Sequence, residues 1–366
     1  MKSKVEEKKF YFEHTIKLND PQKSYLDLLE MFFKPEEFFN SNRFEQPLFD
    51  KIFPENPDYQ NNHAEIARTR DFLAWNGWVF RGHRDSSWKL ATTIDRRYAD
   101  VNLLTKPPIC LKGKSRMELE RAIMREFSRK NYEYDVCRGM NNNMPVYEVI
   151  ANMQHYGCAT RFLDITFSFF VALFFACGNM EFREDNFGTF SIWCFNRMWI
   201  EKTYKKHLPQ EIADLYKTDK FGKLSETQEA VFDYFFKHKE LSAEEQKNTF
   251  KTVINMTPFE MNRRLIRQQG SFLMPTNPFV SFEENISNLV SCEDDKFRIL
   301  KINVEYDNLT LVYLQKFLGE MNINHSVLFD DIDNLCTAIN FKSHLPNDAL
   351  VIDSSCRKEK NAHVKS

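Results

Sequence analysis

Glycine is scarce in this chain, at 10 of 366 residues. The few present are therefore informative: Gly82, Gly157, Gly178 and Gly270 fall at the edges of candidate elements, where positive φ or close backbone approach is expected. The 8 cysteines form no CxxC pair and have no histidine at metal-ligand spacing, which argues against a zinc site. Cys158, Cys177 and Cys194 lie in or beside apolar segments, as buried free thiols do, so a reducing cytoplasm is the expected compartment. Charge of one sign is also lacking. With 50 basic and 52 acidic residues the net charge is -2, which argues against a general nucleic-acid or membrane-surface binder. The first twelve residues contain no apolar core of a signal peptide, so none is expected. The longest uncharged apolar run, Ser168 to Cys177, falls short of the roughly 20 residues a membrane helix needs. No internal repeat is present.

That apolar run marks the centre of the chain. Immediately before it stand Gln154, His155, Tyr156, Gly157, Thr160, Arg161, Asp164 and Thr166. Charged residues so close to a buried run must be paired or line a cleft. A second compact cluster, Val79-Phe80-Arg81-Gly82-His83-Arg84, lies upstream, and the two stretches are expected to meet and build one site.

Asn76-Gly77 reads as a turn and Trp78-Val79-Phe80 as a strand ending near Arg81-Gly82. A short helix is expected from Tyr25 to Phe33, stopped by Pro35, and connection from Phe49 to Gln60. Ser115 to Glu118 matches a capping box, as do Ser225 to Gln228 and Ser242 to Glu245. Pro145 opens a helix that stops near Gly157, and Thr166 is the expected cap of the apolar helix ending at Gly178. Thr189 to Phe195, Gln269 to Met274 and Phe297 to Val304 read as strands. Helices are expected around 306–318 and 326–341. Strands scattered among runs of helix imply an α+β fold, a small mixed or antiparallel sheet flanked by many helices. The expected divisions are a mainly helical region over 1–75, a domain over 76–345 with a helical insertion near 197–260, and a polar tail over 346–366.

Phe80-Arg81-Gly82, followed by Trp88 and Leu90, resembles the signature of the FRG domain family. Gln154-His155-Tyr156-Gly157 with Thr160-Arg161-Phe162-Leu163-Asp164-x-Thr166 resembles its second block, a QHYGxPTRLLDWT-like sequence. Ala159 and Ile165 stand where the family tends to have proline and tryptophan. Arg267-Gln268-Gln269-Gly270-Ser271-Phe272 looks like its third block, and Leu328-Phe329-x-Asp331-Ile332 like its C-terminal segment. The resemblance implies a domain more firmly than a reaction, in the setting of a toxin or phage-defence effector.

A weaker similarity is to ADP-ribosyltransferases, in which a strand arginine reaches the phosphates or ribose of NAD. It implies a phosphate-binding Arg81, with Phe80, Gly82, Gln154, Tyr156, Thr160, Arg161 and Thr166 contacting or positioning ligand. His155, Asp164 and Gln268 are the candidates for acid, base or ribose contact. A planar guanidinium suits phosphate through paired charge-assisted hydrogen bonds. No glutamate occupies the third block, where such enzymes bond the ribose; Asp164 or Glu260 are the carboxylates that could substitute. NAD as substrate, no metal, a nucleotide-like ligand and a protein target are the corresponding expectations. The alternative is a non-catalytic ligand- or protein-binding module. In that reading Arg81 and Asp164 form a structural ion pair, His155 answers the helix dipole, Thr166 is a cap, and Gln154 and Gln268 bond backbone.

Overall fold

The computed structural model describes residues 9–18, 20–54, 74–104, 115–133, 144–178, 180–210, 212, 214, 229–234, 250–259, 261–329 and 332–344. Strands β1 (Phe12–Ile16), β2 (Trp78–His83), β3 (Leu163–Thr166), β4 (Phe187–Asn196), β5 (Val253–Met256), β6 (Gly270–Pro275) and β7 (Ile299–Asp307) form one sheet. Their order is β1-β7-β4-β2-β3-β6-β5, with β1 parallel to β7 and every other neighbour antiparallel. The helices are α1 (Pro21–Phe33), α2 (Pro35–Phe39), α3 (Phe49–Ile52), α4 (Thr93–Leu104), α5 (Arg116–Lys130), α6 (Val146–His155) and α7 (Phe169–Cys177). After them come α8 (Arg197–Lys205), α9 (Arg263–Arg267), α10 (Phe282–Ser287), α11 (Asn308–Glu320), α12 (His325–Leu328) and α13 (Ile332–His344).

The period-2 alternation of the strands builds two cores, one on each face of the sheet. Phe190, Ile192 and Cys194 of β4 point to one face, with Leu300, Ile302 and Val304 of β7. Trp193 and Phe195 point to the other, with Val79 of β2. Helix α7 lies in the first core and is apolar nearly all round, as a helix buried on all sides must be. It crosses β2 at Gly82, where a Cβ would stand 2.0 Å from the Ala172 carbonyl oxygen and 2.6 Å from the Ala176 nitrogen. Only glycine lets the strand and the helix touch this closely.

The strands expected at 189–195, 269–274 and 297–304 are present, and Ser115 and Glu118 close a reciprocal capping box at α5. Helix α7 is capped by Ser168, whose hydroxyl accepts from the Val171 N–H, and not by Thr166. Thr166 instead accepts from the Ser168 N–H and donates to the Gln268 carbonyl at 2.7 Å. Pro35 does stop α1, but it also opens α2 at its first turn, a position that needs no proline N–H. Phe49–Ile52 is a helical turn where connection was expected, and the last expected helix is divided into α12 and α13. The capping boxes at 225–228 and 242–245 lie outside the described residues, as do Glu260 and Asp331. Cys177 and Cys194 are buried free thiols and Cys158 is half-buried. No described helix is long and apolar enough to cross a membrane.

Candidate functional site

The two central strands barely pair. β2 runs beside β4 from Trp78↔Asn196 to His83↔Ser191, whereas β2 and β3 share the single pair Phe80↔Thr166. Beyond that pair the antiparallel register would set Gly82 opposite Asp164, but the ladder stops. Arg81 fills the seam, and its Nη1 donates to the Asp164 carbonyl at 2.6 Å. The guanidinium thus satisfies a backbone acceptor that the interrupted ladder leaves open. Its Nε donates to His83 Nε2 at 3.2 Å.

His83 is buried, and desolvation together with the Arg81 charge pushes its pKa down to about 3. The ring is therefore neutral at physiological pH, with Nε2 free to accept from Arg81. Burial also lowers the Arg81 pKa, Asp164 opposes that shift, and Arg96 adds to it. The Arg81 side chain is 18% exposed and its Nη1 stands 3.8 Å from an Asp164 carboxylate oxygen; that carboxylate side chain is 59% exposed. No hydrogen bond from Nη2 of Arg81 occurs among the described residues. A preoriented, partly exposed guanidinium thus stands beside a solvated carboxylate.

Behind Asp164 lies a polar layer. Gln154 Nε2 donates to the Asp164 carboxylate at 2.9 Å, and its Oε1 accepts from the Thr160 hydroxyl at 2.5 Å. Thr93 ties the layer to α4, donating to the Thr160 carbonyl at 3.0 Å. Helix α6 delivers Gln154 and His155 to this rim because it ends there, with Gly157 at φ +82 turning the chain.

Residues 76–185 match a family model described as the FRG domain. The chain carries an FRG domain. No curated protein and no solved structure matches the chain. The matched span of the FRG domain holds Arg81, His83, Gln154, Thr160 and Asp164, and ends before β4.

The other residues that the resemblance implied have contacts of their own. Phe80 is in the first core against Phe169, and Gly82 serves the approach of α7. Arg161 is 3% exposed and bound to Glu120 of α5, through its Nε at 2.6 Å and its backbone N–H at 2.7 Å. It faces the interior and not the FRG seam. Gln268 is buried and its amide donates to the Leu328 carbonyl at 3.2 Å, a backbone contact from the third block. His155 was expected to feel the C-terminal dipole of α6, which favours the cation. Burial and Arg264 outweigh it and lower the His155 pKa. Tyr156 is exposed beside it, ring against ring.

Thr93 and Glu120 were not singled out from the sequence, and His83 was named only as part of the upstream cluster. His83 had a signal, since it stands two residues after Arg81 and thus on the same strand face. Glu120 and Thr93 come from helices whose docking has no local signature. Among the described residues no three His, Cys, Asp or Glu side chains gather into a metal-binding group.

Proposed function

We propose that the FRG domain binds a phosphate-bearing, nucleotide-like ligand, with NAD the first candidate, at the seam between β2 and β3. The observation that carries this reading is Arg81, held by His83 and the Asp164 carbonyl with its outer nitrogen left for a ligand oxygen. Fixing a guanidinium in advance lowers the ordering cost of anion binding, and partial burial strengthens each charge-assisted bond it makes. Gln154, Thr160 and Thr93 hold Asp164 and the rim in place.

A second reading is catalytic: ADP-ribosyl transfer or NAD hydrolysis. It draws on the exposed Asp164 carboxylate next to Arg81, a negative charge able to face a developing oxocarbenium ion. The withdrawal of Gln268 to Leu328 favours binding without turnover. In the enzyme reading, the family resemblance sets the activity in a toxin or phage-defence effector, and growth arrest on induction, relieved by Arg81→Ala, is its cellular signature.

Purified chain incubated with NAD, with and without cell lysate, decides between the two. Nicotinamide release lost in Arg81→Ala is the enzyme's result. Thermal stabilisation by NAD without release, lost in the same variant, is the binding module's. Neither turnover nor stabilisation removes both readings. Arg81→Gln, which removes the charge but keeps a polar side chain, replaces the alanine variant if that one does not fold.

A further inference from the structure

Four of the chain's five tryptophans are buried or half-buried, with Trp75, Trp78 and Trp193 at 9%, 3% and 2% exposure. Trp88 is 53% exposed. That exposure leaves aromatic surface available to a stacking partner. The loop holding it is tightly built: the Ser86 N–H donates to the Thr189 carbonyl at 2.9 Å, and the Trp88 N–H to the Asp85 carbonyl at 3.2 Å. The Asp85 carboxylate accepts from the Ser87 N–H at 2.8 Å. The indole is thus presented from a braced turn anchored on β4.

Its position relative to the seam is specific. The Trp88 ring lies 6.1 Å from the His83 ring, and His83 is bonded to Arg81. The exposed indole and the preoriented guanidinium are therefore linked through one imidazole. Arg96 adds positive charge near the same imidazole. Cationic groups beside an exposed aromatic face are the combination that holds a nucleotide, the charges taking phosphate and the ring taking the base.

We infer that the ligand is a nucleotide whose base stacks on Trp88 while its phosphate meets Arg81. The inference rests on the anion site proposed above and adds the base platform. Stacking tolerates any base, so the expected class is nucleotides in general, with discrimination between bases weak.

Titration calorimetry of the full chain with ADP and with inorganic pyrophosphate separates the two contacts. Trp88→Ala is expected to weaken ADP roughly ten- to a hundredfold and to leave pyrophosphate unchanged, with Trp88→Phe recovering most of the loss. Unchanged ADP affinity in Trp88→Ala overturns the platform, and so does an equal loss of both probes. If pyrophosphate binding still depends on Arg81 in that case, the anion site stands without the platform. Binding of neither probe by the wild-type chain removes both. Because Trp88 is exposed, an unchanged melting temperature is expected to certify its variants as folded.

Discussion

Arg81 and Arg161 are two arginines of the same domain, each beside a carboxylate, and they have opposite surroundings. Arg161 and Glu120 are 3% and 2% exposed at the side chain and bonded to each other from several atoms. Arg81 and Asp164 are 18% and 59% exposed, and their carboxylate contact is 3.8 Å. In the buried pair Glu120 accepts from both the Arg161 Nε and its backbone N–H. An open pair, held mainly through a backbone carbonyl and a neutral histidine, keeps donor capacity toward solvent. Both arginines stand in family motifs, so membership of a motif does not distinguish a binding group from an internal brace. The partner and the opening do.

The contrast can be broken from the sealed side first. Arg161→Ala leaves the Glu120 charge buried, and a loss of about 3–5 kcal/mol in urea denaturation is expected, against a clearly smaller loss for Arg81→Ala. Similar losses for the two would erase the distinction.

A second way uses pH. With its folded pKa near 3 and an unfolded value near 6.5, His83 is neutral in the native protein while the unfolded chain takes up a proton. Its contribution is full above pH 6.5 and is lost as pH falls toward 3, amounting to about 2 kcal/mol by pH 5. His14, whose pKa burial lowers to about 4, acts in the same direction. His83→Gln is expected to flatten the profile between pH 6.5 and 5 by its own share; an unaltered slope would show that the imidazole is not held neutral against Arg81.

The smallest expected effect is at Asp164. Asp164→Asn should change stability by less than about 1 kcal/mol, since the carboxylate is exposed. The same variant should tighten pyrophosphate binding several-fold by removing a like charge from the anion's side of Arg81. Weaker binding in Asp164→Asn would place the carboxylate in direct support of the ligand.

Much of the framework was readable because it is local. Alternation from Thr189 to Phe195, the Ser115–Glu118 box and the turn at Gly157 each depend on neighbouring residues, and each is where its pattern puts it. The meeting of the Arg81 and Asp164 stretches was also anticipated, from charge set against an apolar run. Local rules failed where two residues offered the same chemistry. Thr166 and Ser168 both present a hydroxyl before α7, and tertiary contact gave the cap to Ser168 and Thr166 to the Gln268 carbonyl.

What the sequence by itself determined was several of the central strands, capped helices and turns, and that a polar cluster flanks the apolar helix, because propensity, capping and periodicity act within a few residues. Only the tertiary structure decided that β2 and β3 part after one pair, that Glu120 seals Arg161, and that Gln268 bonds Leu328. Those outcomes depend on long-range docking, in which each buried charge or amide takes whichever partner the packed chain brings within reach.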